Sequence, residues 1–395
     1  MKLPIYMDSN ATTPVDPRVL EKMMPYFTEY FGNAASKTHG FGWKAEEEVE
    51  TAREKVAALI NAQPSEIIFT SGATESNNLA IRGIAEMYRN KGNHIITAQT
   101  EHKAVLNTCE RLKTEGFDVT SLPVDKYGLV DPDDVRKAIT QKTILVTIMT
   151  ANNEIGTIAP VKEIGAATRE HGVFFHTDAA QAAGKIPFDV QEMNVDLASI
   201  TAHKVYGPKG VGALYVRKKD PRVKLKPIID GGGHERGLRS GTLNVPGIVG
   251  FGAACEVCQK EMPEESKRLK ALRDRLYNTI TGTIDEVYLN GHPVKRLPHN
   301  LNLAFVYVEG ESILMGLNNI ALSSGSACNS ANPVSSHVLI ALGIGEERAH
   351  NSVRFGLHRF NTEEEVDYVA AEVIKLVNKL REMSPLYLAG KKIQI

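Results

Sequence analysis

An aspartate and a lysine 26 positions apart carry the first chemical signal in this chain. Asp178 stands in His176-Thr177-Asp178-Ala179-Ala180-Gln181, just after a run that reads as a buried strand, and Lys204 closes Ser199-Ile200-Thr201-Ala202-His203-Lys204. A lysine amine can hold the aldehyde of pyridoxal phosphate as a Schiff base. A carboxylate can keep the pyridine nitrogen protonated, so that the ring draws electrons from whatever is attached to it. The pair points to a cofactor and leaves the reaction open.

Other polar clusters fit the same chemistry, each with a plainer reading beside it. Ser71-Gly72-Ala73-Thr74-Glu75-Ser76-Asn77 is a glycine turn opening a helix, whose first amides and Thr74 hydroxyl suit a phosphate. An ordinary helix cap would look alike. His102 can stack on a flat ring or move protons, Asn153 can contact a cofactor or a carboxylate, and Gln181 can hydrogen-bond a ring hydroxyl; alone, each reads as a surface, turn or capping residue. Cys328 lies in the small, polar, turn-rich run Ser323-Ser324-Gly325-Ser326-Ala327-Cys328-Asn329-Ser330-Ala331-Asn332-Pro333, which reads as an accessible loop. No Walker A sequence is present, and Gly247-Ile248-Val249-Gly250-Phe251-Gly252 does not complete a dinucleotide fingerprint.

These residues need a scaffold, and the chain alternates strand-like and helical runs. Strands are expected at 67–70, 94–97, 118–121, 144–148, 173–176, 196–200 and 211–216, with amphipathic stretches between most of them. That alternation predicts an α/β layer with a mainly parallel sheet. Its polar clusters follow strand ends, where ligands collect in such sheets. The pattern shifts near residue 260 to shorter strands and helices and closes with a helix near Glu363 to Met383. The expected organisation is a large domain over 15–260, with 1–14 and 261–395 forming a smaller α+β domain that carries the cysteine loop at about 323–335.

At 395 residues, with 42% hydrophobic and 24% charged residues and a net charge of −1, the composition is ordinary. It argues against direct nucleic-acid binding. The early acid at Asp8 argues against a signal peptide, and no apolar run suits a membrane helix, so a cytoplasmic protein is expected. Asn10-Ala11-Thr12 matches a glycosylation sequon, most simply by chance. Four cysteines make no disulfide framework; Cys109, Cys255 and Cys258 read as helix-packing thiols, and no intrinsic metal site is expected.

Taken together, the segments around Ser71–Asn77, Thr100–Lys103, Asn152–Gly156, His176–Gln181, His203–Gly210, Gly231–Gly237, Arg239–Thr242 and Ser323–Cys328 resemble the cysteine desulfurases of the class V aminotransferase group, most nearly the IscS/NifS type. The likeness runs in order along nearly the whole chain. It implies a pyridoxal-phosphate-dependent fold type I with a seven-stranded sheet, and a homodimer. It further implies that Lys204 holds the cofactor, that Asp178 faces the ring nitrogen and Gln181 the ring oxygen, and that His102 stacks on the ring. Ala73, Thr74, Thr201 and His203 would surround the phosphate, with Thr242 contributed by the other subunit. Asn153 and Arg354 would receive the substrate carboxylate, the arginine through its planar fork.

The implied reaction takes sulfur from L-cysteine. Lys204 removes the α-proton, the Cys328 thiolate attacks the substrate sulfur, and the products are alanine and a persulfide on Cys328, with His102 a proton donor or acceptor. The persulfide would pass to an IscU/NifU-like iron–sulfur scaffold protein, with which Cys328 could ligate a transient cluster, or toward tRNA thiolation. A generic aminotransferase or a selenocysteine lyase would share Lys204 and Asp178 without needing Cys328, and a non-enzymatic scaffold using Cys255, Cys258 and Cys328 lacks a full ligand set. The tail after Tyr387 is shorter than in relatives of this type, which bears on how a scaffold would dock.

Overall fold

The computed structural model describes residues 1–324, 335–385, 387 and 388. Its strands are β1 (Ile5–Tyr6), β2 (Ile67–Thr70), β3 (His94–Ala98), β4 (Asp118–Leu122), β5 (Thr143–Thr147), β6 (Phe174–Asp178), β7 (Leu197–Thr201), β8 (Gly212–Val216), β9 (Val287–Leu289), β10 (Asn300–Phe305), β11 (Ile320–Ala321) and β12 (Ser352–Gly356). Seven of them form one sheet in the order β2-β8-β7-β6-β5-β3-β4. All are parallel except β8, which runs against both neighbours. The expected seven-stranded, mainly parallel sheet is therefore present, with strand positions close to those read from the sequence.

Helices cover both faces, which is why β3, β5, β7 and β8 are buried along their whole length and lack an alternating pattern. The edge strand β4 is half exposed. One face packs on a core that includes Val49, Val56, Ile60, Phe175 and Phe251; the other packs on Leu79, Ile84, Val105 and Leu112. The chain passes from β3 outward to β4 and then returns beyond β3 to β5. This reversal opens a crevice at the carboxyl ends of β3 and β5. His102 follows the first of these strands and Asn153 the second.

The remaining strands make an antiparallel trio, β12-β10-β9, and a parallel pair, β1-β11. Ile5 and Met7 pack with Leu301, Val353, Phe355 and Val373 in a second core. One helix, Val245–Thr281, serves both: Val245 through Cys258 belong to the first core and Leu269 through Ile280 to the second. The pattern shift near residue 260 thus falls in mid-helix, and Pro263 sits within the helix without ending it. No helix among the described residues is long and apolar enough to cross a membrane.

Candidate active site

The turn after β2 is built for close approach. Gly72 has φ 152° and ψ −179°, a conformation essentially restricted to glycine. A Cβ on Gly212 of β8 would come within 2.7 Å of the Gly72 Cα, so two glycines let the strand and the turn touch. The helix Ala73–Tyr88 that follows has no side-chain cap, which leaves first-turn amides available to an anion at the positive end of a 16-residue helix. Thr201 Oγ1 lies 3.7 Å from where a Gly72 Cβ would be, placing its hydroxyl beside the turn at Gly72. His203 Nδ1 meets Thr12 Oγ1 at 3.1 Å, and burial, aided by the charges of Lys204 and Lys209, pushes its imidazole down to about 4.

Asp178 ends β6, 7% exposed. One carboxylate oxygen accepts the side-chain amide of Asn77 at 2.7 Å and the other accepts the Ala180 N–H at 3.0 Å. Asn77 Oδ1 is itself buried without a hydrogen-bond partner. Lys204 closes the short turn Ala202–Lys204 after β7. Its amine donates to the Asn10 carbonyl, which also accepts Gln181 Nε2 at 2.9 Å. Burial pushes the amine down to about 7; the Arg354 guanidinium acts in the same direction, against Asp178 and Asp8. A lysine with this value is largely neutral just above pH 7 and can act as nucleophile or base.

Arg354, 3% exposed, lies on β12 opposite Asn302. Nη1 donates to the Asn153 carbonyl at 2.9 Å and Nη2 to Asp8 Oδ1 at 2.7 Å, while Nε has no partner. The Asn153 loop is a junction. Asn152 Oδ1 accepts the amides of Glu154 and Ile155, and the Glu154 carbonyl accepts the side chains of Asn300 and Asn302. The Glu154 carboxylate accepts Ser336 Oγ, and His337 Nε2 lies 2.9 Å from the Glu101 carbonyl. Ser323 bridges to Arg354. Cys328 and most of its segment lie outside the described residues, as does most of the tail beyond Tyr387.

His102 is exposed and caps the helix Lys103–Thr114, its Nδ1 accepting the Ala104 N–H at 3.1 Å. Glu101, beside it, is 0% exposed. One carboxylate oxygen accepts the Met149 N–H at 2.6 Å, and burial, reinforced by Asp178, raises it well above the usual carboxylate range. Thr242 is exposed, and no hydrogen bond or ion pair joins it to the other candidates among the described residues. Cys109, Cys255 and Cys258 are free and buried, and no group of three His, Cys, Asp or Glu side chains among the described residues could hold a metal.

The fold thus links Lys204 and Gln181 through the Asn10 carbonyl and joins Arg354 to Asn153, with Asp178 close enough to act on the Lys204 charge and Thr201 beside Gly72. Sequence reasoning missed Asp8, Asn10, Asn77 and Glu101. Asn77 and Glu101 sit inside motifs quoted for their neighbours, whereas Asn10 was noticed only as a chance sequon. A ring nitrogen facing Asp178, a phosphate on the uncapped turn and an aldehyde at Lys204 would each meet a matching group, so these residues fit pyridoxal phosphate.

Three comparisons bear on the arrangement. A family profile described as aminotransferase class-V matches residues 5–369. A cysteine desulfurase IscS of Anaeromyxobacter sp. (strain Fw109-5) is 60% identical over 387 residues, 98% of this chain and 96% of that one. Among solved structures, a NifS-like protein superposes with a TM-score of 0.88 at 41% identity, covering 95% of this chain and 99% of its own. A structure titled SspA in complex with cysteine does so with a TM-score of 0.80 at 39% identity, covering 91% and 100%.

Proposed function

The chain belongs to the class-V aminotransferase family, and we infer from that membership and from the site that it is a pyridoxal-phosphate-dependent cysteine desulfurase. The observation that carries the site assignment is the half-buried Lys204 amine, lowered to about 7 and set among Asp178, Arg354 and Asp8. When bound, pyridoxal phosphate supplies an electron sink for the carbon that loses its proton. The protein's residues supply the rest.

Arg354 grips the carboxylate of L-cysteine. Its guanidinium is already fixed by the Asn153 carbonyl and by Asp8, so the unpartnered Nε and the fork edge meet the substrate with little reorganisation. Lys204 would take the α-proton of the substrate; its lowered affinity for protons makes it available as a base at neutral pH. Asp178, held in place by Asn77 and by the Ala180 amide, would face the ring nitrogen. His102 would stack on the ring and exchange protons. Cys328, as thiolate, attacks the substrate sulfur; the carbon–sulfur bond breaks, the sulfur remains on Cys328 as a persulfide, and alanine leaves after protonation.

The persulfide then passes to an iron–sulfur scaffold protein, with tRNA thiolation a second outlet, in the cytoplasm; the free thiols of Cys109, Cys255 and Cys258 accord with a reducing compartment. The working unit is a homodimer, with Thr242 completing the partner's phosphate site. Exposed Met24, Phe27, Phe31, Phe41 and Trp43, at 52–64%, supply an apolar surface for a second copy, and the Phe31 and Phe41 rings lie 5.2 Å apart. The test of function is production of alanine from L-cysteine, with mass spectrometry of the Cys328 peptide. A Cys328→Ala variant should bind cofactor and transfer no sulfur; unchanged transfer would overturn the assignment. Sedimentation of the purified protein as a monomer would overturn the dimer.

A further inference from the structure

Two residues beyond Lys204, Tyr206 is fully buried and holds φ at 64°, a left-handed conformation disfavoured for a bulky side chain. The Lys185 ammonium lies 3.8 Å from its ring centroid, and so does the Arg359 guanidinium. Two like charges so close to one ring repel each other least from opposite faces, an arrangement that would sandwich the ring. Its hydroxyl donates to Glu265 at 3.0 Å and accepts the Arg359 N–H at 2.9 Å. Glu265 also pairs with Arg359 at 2.8 Å and lies 3.8 Å from the Lys185 amine.

Lys185 is the unusual member. Its side chain is 3% exposed, yet the amine has no hydrogen-bond partner. A buried ammonium in that state is unfavourable unless its position serves something else. What it touches is the ring face, which attracts cations through its quadrupole. Burial pushes this amine down to about 8, with Glu265 opposing the shift, so a charged fraction persists at neutral pH. Lys185 also comes from the turn that follows Asp178 and Gln181, its N–H bonding the Ala182 carbonyl.

We infer that Lys185 and Tyr206 are positioning residues for Lys204, with the ring clamped between Lys185 and Arg359 fixing the course of the chain that carries the reactive amine. The backbone around the clamp is tied accordingly. Tyr206 N donates to Thr13 Oγ1, Thr13 N donates to the His203 carbonyl, and Asp16 N donates to the Tyr206 carbonyl, each at 2.9 Å. A ring held on both faces cannot swing without losing both cations. The turn Ala202–Lys204 therefore keeps its direction while Lys204 is released from the cofactor and must return. This inference rests on the role proposed for Lys204.

The experiment compares Lys185→Met, Tyr206→Leu and Tyr206→Phe with Lys204→Ala in the full-length enzyme. Turnover and KM for L-cysteine are measured in the cofactor-loaded protein. In the cofactor-free protein, the rate at which an amine-reactive reagent labels Lys204 is followed by mass spectrometry, and thermal melting checks the fold. Misplacing the amine by a fraction of an ångström should lower kcat roughly tenfold to a hundredfold in Lys185→Met and Tyr206→Leu, with KM little changed and Lys204 labelling altered. Tyr206→Phe, which keeps the ring, should recover most of the loss. If Lys185→Met and Tyr206→Leu fold, and both kcat and Lys204 labelling match the parent, the clamp has no positioning role. Full activity in Lys204→Ala would instead overturn the reading of Lys204 itself.

Discussion

Asp178 and Lys204, the two groups proposed to meet one cofactor, are prepared for it in opposite ways. Asp178 arrives fully engaged: Asn77 and the Ala180 amide fix both oxygens, and Asn77 comes from a helix on the far side of the turn. Lys204 is held by one backbone carbonyl, that of Asn10, and is half-buried. A group that must keep one position throughout a reaction is fixed by hydrogen bonds from rigid elements. A group that must change partners, from cofactor to free base and back, is given few protein bonds and an environment that favours its neutral form. The same site therefore holds one carboxylate in place and leaves one amine ready to move.

The contrast can be broken at either end. Lys204→Ala removes the moving group and should lower alanine production on the order of 10²–10⁴-fold, measured under saturating L-cysteine. Asp178→Asn keeps the shape and removes the charge; a loss of around 10²-fold in kcat is expected, with Tm nearly unchanged. If Asp178→Asn is as active as the parent, fixation of that carboxylate serves folding alone. Asn77→Ala leaves Asp178 one bond short and should cost about 1–3 kcal/mol in urea unfolding.

The pH dependence of the cofactor-free protein sharpens the other end. Because the Lys204 amine is lowered from 10.5 to about 7, between these values the unfolded chain binds a proton that the folded chain does not. Stability from this group therefore rises as pH increases from about 7 to 10.5, and is flat below. Lys204→Met should remove that slope in denaturation curves collected across the range. The smallest effect expected is at Glu154: Glu154→Gln weakens the tie to Ser336 and should cost about 1 kcal/mol or less of stability, seen as a small fall in the urea midpoint.

The strands were legible because each is a short run of β-branched or apolar residues bounded by turns, as in Ile67-Ile68-Phe69-Thr70, and the polar clusters could be assigned to strand ends. Asp178 and Lys204 were legible because each lies beside its own strand. The partners that prepare them were not. Asn77 is 101 residues from Asp178, Asn10 is 194 from Lys204, and Asp8 is 346 from Arg354. No local periodicity encodes such pairs; those of Asn10 and Asp8 exist only once the amino-terminal segment has returned beside β12. The Lys185–Tyr206–Arg359 stack was hidden for the same reason, since each residue alone reads as ordinary.

The helix Val245–Thr281, 37 residues and roughly 55 Å long, bears on how this protein comes apart. Its amino-terminal half is part of the core under the large sheet and its carboxyl-terminal half is part of the core behind β9, β10 and β12. Unravelling either core frays a rod that the other is packed against. Heating should then produce a single transition rather than two, and a cavity made at Leu272 or Leu276 should lower the temperature at which the distant Lys204 end melts. Expressing the first 260 residues alone would strand half a helix and should yield little folded protein, although the two cores' strands form different sheets.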